Sequence, residues 1–176
     1  MNSLAKHDFA VIDFLVRHFA ERFTVRQMSQ QLKLSAAGAH LSLKKLQKAG
    51  IVEAEKLGTG LFYQIYLRSK IAEHLAAIVL LDKDAKLIPV DALKEDAKAL
   101  VYDNKTLLII ANNKQLVEDI AKKSLNDVHW LILNDEEFSR YVLEKDTKVL
   151  NIIQHGRVLQ GEQVIVHGIK RYLRYG

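Results

Sequence analysis

Carboxylates, histidines and cations are the side chains of this 176-residue chain that could do chemistry, because it contains no cysteine. Disulfides, cysteine-ligated zinc and thiol nucleophiles are thereby excluded. Seven histidines are present, but they show no His-Glu-x-x-His or other metal-ligand spacing. Asp135, Glu136 and Glu137 could be imagined as a carboxylate site. They directly follow Asn134, however, and acids behind an N-cap are what a helix start favours through its dipole. Gly58-Thr59-Gly60 lies between two strand-like runs rather than at a strand-to-helix turn. No Gly-x-x-x-x-Gly-Lys loop occurs either, so neither phosphate-loop fingerprint is present. His129 and Trp130 fall in an apolar run and read as core residues. No metal and no cofactor is expected.

The cations say more. Residues 1–75 carry eleven Lys/Arg against six Asp/Glu, whereas residues 76–176 carry fifteen of each, so the net charge of +5 resides in the first half. Such an asymmetry points to a polyanion partner for that half, most often nucleic acid. With 49% hydrophobic and 27% charged residues, the composition is that of a folded soluble protein. The longest charge-free apolar stretch, around His74 to Leu81, falls short of the ~18 residues of a membrane span. Lys6, Asp8 and Asp13 interrupt the only candidate signal segment, so no secretory leader and a cytoplasmic location are expected.

The elements that would carry these cations follow from periodicity and caps. Phe9, Ile12, Val16 and Phe19 recur at helical spacing over Lys6 to Ala20. Thr24 with Gln27 three residues on is a capping box for a second helix to about Leu32. Ser35 is the N-cap of a third, whose Ala39, Leu43 and Leu46 share one apolar face and which ends at Gly50. Two alternating runs, Ile51 to Glu55 and Leu61 to Leu67, flank a glycine turn and predict a hairpin.

Two short helices joined by a tight turn, the second bearing lysines and followed by a hairpin, resemble the winged helix-turn-helix family of DNA-binding domains. The stretch that carries the likeness is Leu34-Ser35 together with Leu43-Lys44-Lys45-Leu46-Gln47-Lys48-Ala49-Gly50-Ile51-Val52. The resemblance implies a transcription regulator that places the start of the third helix in the major groove of duplex DNA, with structured RNA left open. Ala36, Ala37 and His40 would then lie at base edges, and the N-cap Ser35 belongs to the same DNA-binding set. Lys44, Lys45, Arg26 and, on the wing, Lys56 and Thr59 would face phosphate. Leu41 departs from the pattern: it either touches a thymine methyl, packs on a partner, or marks a register one residue off. A helix from Ser69 to Leu81, with Ile71, Leu75, Ile78 and Val79 on one face, serves a homodimer or packs on the second module.

After a charged boundary around Asp82 to Ala92, the chain reads as an α/β unit of about three strands. Strands are expected at Ala99 to Tyr102, Thr106 to Ala111 and Val128 to Leu133, with helices at Lys114 to Lys123, after Asn134 and near Lys148 to His155. Residues 95–168 resemble the minimal nucleotidyltransferase domains of the DNA polymerase beta-like superfamily. The likeness rests on Leu107-Leu108-Ile109-Ile110, on Ile132-Leu133-Asn134-Asp135-Glu136-Glu137-Phe138, and on Gly156-Arg157-Val158-Leu159-Gln160-Gly161. That family holds nucleotide phosphate on a Gly-Ser loop and divalent metal on Asp-x-Asp. Here Asp103-Asn104-Lys105 stands where the loop belongs and Asn104-Lys105-Thr106 replaces the metal pair. The resemblance therefore implies a catalytically inactive relative that pairs subunits or senses a ligand. The expectation is an α+β protein with a winged helix at residues 1–82 and a nucleotidyltransferase-like domain at 92–176. A divergent nucleotidyltransferase that docks substrate through the winged helix, and a protein-interaction module, are the alternatives. The last residues, Lys170 to Tyr175, read as a frayed, solvated helix end.

Overall fold

A computed structural model describes residues 4–81, 89–125 and 127–176. The chain is of the α+β class and divides into two compact units, Met1–Val79 and Leu80–Gly176. Most of the charged boundary inferred from sequence, residues 82–88, lies outside the described residues.

In the first unit, α1 (Lys6–Arg17), α2 (Val25–Gln31) and α3 (Ala36–Lys48) precede an antiparallel hairpin of β1 (Val52–Leu57) and β2 (Gly60–Ile65). Local signals set these boundaries. The Thr24 hydroxyl accepts from the Gln27 amide and the Gln27 side chain accepts from the Thr24 amide, which starts α2. The Ser35 hydroxyl accepts from the Gly38 amide at 3.0 Å and starts α3. Between them Lys33 adopts a left-handed conformation, φ 53°, that ends one helix and redirects the chain into the next. Gly58, at φ 59°, begins the two-residue turn of the hairpin, a backbone state that glycine takes without a Cβ clash. Phe23 adds a short antiparallel bridge to Tyr63 on the hairpin's edge. Val11, Ile12, Leu15 and Val16 of α1, Met28 of α2, and Ala39, Leu43 and Leu46 of α3 are buried together with Ile51, Tyr63 and Ile65. α1 and α2 each pack on α3, and α3 packs on β1.

α4 (Lys70–Leu80) starts where expected, with Ser69 Oγ accepting from the Ala72 amide at 3.1 Å. The side expected to serve a homodimer or the second module is not its buried side. Ala72, Ala76, Ala77 and Leu80 are buried, whereas Ile71 and Ile78 are exposed and Leu75 and Val79 half-buried. Apolar residues lie on more than one side of this helix, so periodicity could not pick the inward one. The alanines go inside because they permit the closest backbone approach.

The second unit is a three-layer structure. A short 3-10 helix (Asp91–Leu93) leads to β3 (Ala99–Tyr102), β4 (Thr106–Ile110), α5 (Lys114–Ser124), β5 (His129–Leu133), α6 (Asp135–Leu143), α7 (Thr147–His155), β6 (Arg157–Gln160) and α8 (Glu162–Tyr175). The sheet order is β5-β4-β3-β6, with β4 and β5 parallel and the other neighbours antiparallel. Leu100, Leu107 and Ile109 face the 3-10 helix and α5, in a core with Leu93, Val117 and Ala121. The opposite face is covered by α6, α7 and α8.

Two expectations are corrected here. Among the described residues the sheet has four strands rather than about three, because Arg157–Gln160 pairs with β3. His129 is exposed, not core, because β5 is an outer strand. The segment Lys170 to Tyr175 is the end of α8, with Arg171, Arg174 and Tyr175 exposed as expected of a solvated helix end; Tyr172 is buried, and Arg171 donates to Ser139 Oγ at 2.9 Å. Trp130 is partly buried against the core, near the expectation.

Candidate nucleic-acid interface

The buried face of α3 dictates what its other side offers. With Ala39, Leu43 and Leu46 fully buried, residues 36, 37, 40, 41, 44 and 48 fall on the remaining surface by helical spacing. Ala36, Ala37, His40, Leu41, Lys44 and Lys48 are all exposed. The helix thus begins with small side chains around its free amide groups and continues into two ammonium groups. Such an end suits anionic backbone: the helix dipole favours negative charge there, and no bulky side chain holds a ligand off.

The other residues named from the sequence lie on neighbouring elements. Arg26 is exposed at the second position of α2, and Ser35 is exposed while its hydroxyl caps α3. Lys56 and Thr59 are exposed at the hairpin tip, Lys56 on β1 and Thr59 in the turn. Arg26, Lys33, Lys44, Lys48 and Lys56 make no ion pair with any described residue of the chain.

Lys45 differs. Its Nζ lies 2.6 Å from Asp8 Oδ2, and Asp8 is only 2% exposed. The same carboxylate oxygen accepts from the Ala5 amide at 2.7 Å and so closes the start of α1. Burial pushes the Asp8 carboxyl up, but the Lys45 ammonium, the Ala5 amide and the Ser42 hydroxyl outweigh it and hold it below the ordinary value of 3.8. Lys45 therefore ties α3 to α1, and a phosphate contact would have to compete with that pair. Sequence reasoning missed Asp8 because an acid in the first turn of a helix is already explained by the dipole.

In the second unit, Asp103-Asn104-Lys105 forms a tight hairpin connection between β3 and β4. Asp103 Oδ1 accepts from the amides of Lys105 (3.0 Å) and Thr106 (2.7 Å), and Asn104 sits at φ 70°. The carboxylate is engaged by its own turn. Asp135, Glu136 and Glu137 occupy the first turn of α6, where Asn134 and Glu137 form a reciprocal capping box. Glu137 also accepts from Lys114 Nζ at 2.9 Å, and that ammonium, with the Asn134 amide, lowers its carboxyl from the usual range. Among the described residues no group of three or more His, Asp and Glu is placed to hold a metal ion. No described helix is long and apolar enough to cross a membrane.

Comparison with protein-family models, with curated proteins and with solved structures finds no match for this chain.

Proposed function

We propose that the protein binds duplex DNA through its first unit and acts as a transcription regulator, with α2 and α3 as a helix-turn-helix and the β1-β2 hairpin as the wing. The observation that carries this reading is the exposed surface of α3, where small N-terminal residues run into Lys44 and Lys48, neither of them neutralised by a described carboxylate. On this reading Ala36, Ala37 and His40 enter the major groove. Lys44, Arg26 and the hairpin residues Lys56 and Thr59 contact phosphate. Without an arginine on α3, base readout is modest, since arginine on guanine is the commonest specific contact. The second unit is then a non-catalytic, nucleotidyltransferase-like partner of the first that pairs subunits or senses a ligand. The engagement of Asp103 by its own turn supports the non-catalytic part of this reading.

The test is fluorescence anisotropy of a labelled duplex of 30 base pairs titrated with protein at several salt concentrations, with duplex RNA as competitor. Affinity should fall steeply with salt and favour DNA. Arg26→Ala, Lys44→Ala and Lys56→Ala should each lower the slope of log K against log salt by about 1. Absence of binding at low salt refutes the reading.

A further inference from the structure

The exposed Leu41 is not an error of register, because Ala39 and Leu43 on either side of it are fully buried. Leu41 is 67% exposed and Ile71 56% exposed, and both line one open cleft of about 710 Å³ in the first unit. Leu4 and Leu75 extend its apolar wall, and Lys44 and Lys48 stand on its α3 side. Lys45 also borders it, but is held by Asp8. Among the described residues lining the cleft, none is acidic. Large apolar side chains held in water around a concave surface mark an interaction site.

We infer that this cleft, with Leu41, Ile71 and Leu75 as its apolar wall and Lys44 and Lys48 as its cationic rim, docks an amphipathic acidic helix of another protein. The apolar and cationic positions run from Leu41 to Lys48 on α3, and the outward apolar stripe of α4 runs from Ile71 to Ile78. Seven residues on each helix rise about 10 Å, room for about two turns of a docked helix presenting apolar side chains at i, i+4 and i+7. Charge decides the occupant. A second copy would offer the stripe Ile71, His74, Leu75 and Ile78, which has no carboxylate for the two ammonium groups, and would bring together two units with the same positive excess. A helix with glutamates beside its apolar stripe satisfies both walls. Because Lys44 also belongs to the surface assigned to DNA, a docked acidic helix and a duplex would exclude one another.

The test uses the full chain, ¹⁵N-labelled, without nucleic acid, so its failure leaves the DNA reading untouched. The probe is a synthetic capped peptide of 16 residues with three leucines at i, i+4 and i+7 and glutamates flanking them. It should bind with a Kd on the order of 10–100 µM and shift the amides of Leu41, Lys44, Lys48 and Ile71. Leu41→Asp and Ile71→Asp, both at exposed positions that leave the core intact, should each weaken it by at least about tenfold. The same peptide with lysine for glutamate should not bind. Four results overturn the inference: no binding at millimolar peptide, equal affinity in both variants, decanoate shifting these amides where the peptide does not, or a sedimenting dimer that Ile71→Asp dissociates.

Discussion

The two units answer to different demands on their surfaces. The first carries the whole positive excess, since residues 76–79, between the charge division and the unit boundary, are uncharged. It also leaves Leu41, Ile71 and Ile78 in water. The second is electrically balanced, and four of its lysines meet carboxylates: Lys94 with Asp91, Lys98 with Asp135, Lys114 with Glu137 and Lys122 with Glu118; the first unit pairs Arg17 with Asp13, Arg22 with Glu55 and Lys45 with Asp8. The sheet of the second unit is covered on both faces. Exposed ion pairs of this kind contribute little to stability. Their consequence is electrostatic: they cancel the field that would draw a polyanion. The contrast is one of net charge: the first unit carries an excess that the second lacks.

The sharpest way to break this contrast is to damage one unit and watch the other. Phe138, 1% exposed under α8 beside Gly168, should cost about 4 kcal/mol when changed to Ala. Trp130, the only tryptophan, lies in the second unit, so its fluorescence in urea should report that loss while duplex binding by the first unit persists. Simultaneous loss of both would show that the units do not act separately.

Within the first unit, Leu43→Ala should cost about 3 kcal/mol and Leu41→Ala no more than about 0.5 kcal/mol in urea unfolding followed by circular dichroism. Equal costs would place Leu41 in a core.

Asp8→Asn should destabilise by about 2 kcal/mol at neutral pH, because it removes the buried negative charge that pairs with Lys45. The native carboxyl lies below its unfolded value, so its contribution is complete above 3.8 and disappears as pH falls through the lowered native value. The gap between variant and parent in thermal unfolding should therefore close in acid; a constant gap would mean that the carboxylate's charge is not what stabilises.

The smallest effects compare cations. Lys44→Ala should lower the salt slope of duplex binding by about 1, and Lys98→Ala should leave it unchanged. A matching fall for Lys98 would dissolve the electrostatic distinction between the units.

Much of the local architecture was legible before any coordinates. Thr24 with Gln27, Ser35, Ser69, Asn134 and the glycine turn at Gly58 mark element ends because each acts on backbone groups two to four residues away. The exposed α3 surface was legible too, since burying Ala39, Leu43 and Leu46 leaves only one other side. The strand at Arg157–Gln160 was not, being four residues long and defined by pairing with a β3 more than fifty residues earlier.

The amino-acid sequence alone determined the helix starts, the turns, the α3 register and the location of the charge excess, all consequences of neighbours in the chain or of composition. Tertiary structure decided which side of α4 turned inward, that β5 became an outer strand exposing His129, and that Lys45 was claimed by Asp8, 37 residues away. Those outcomes depend on which distant surfaces meet, and an apolar helix, a short strand or a lysine in a basic run has several acceptable partners until the fold selects one.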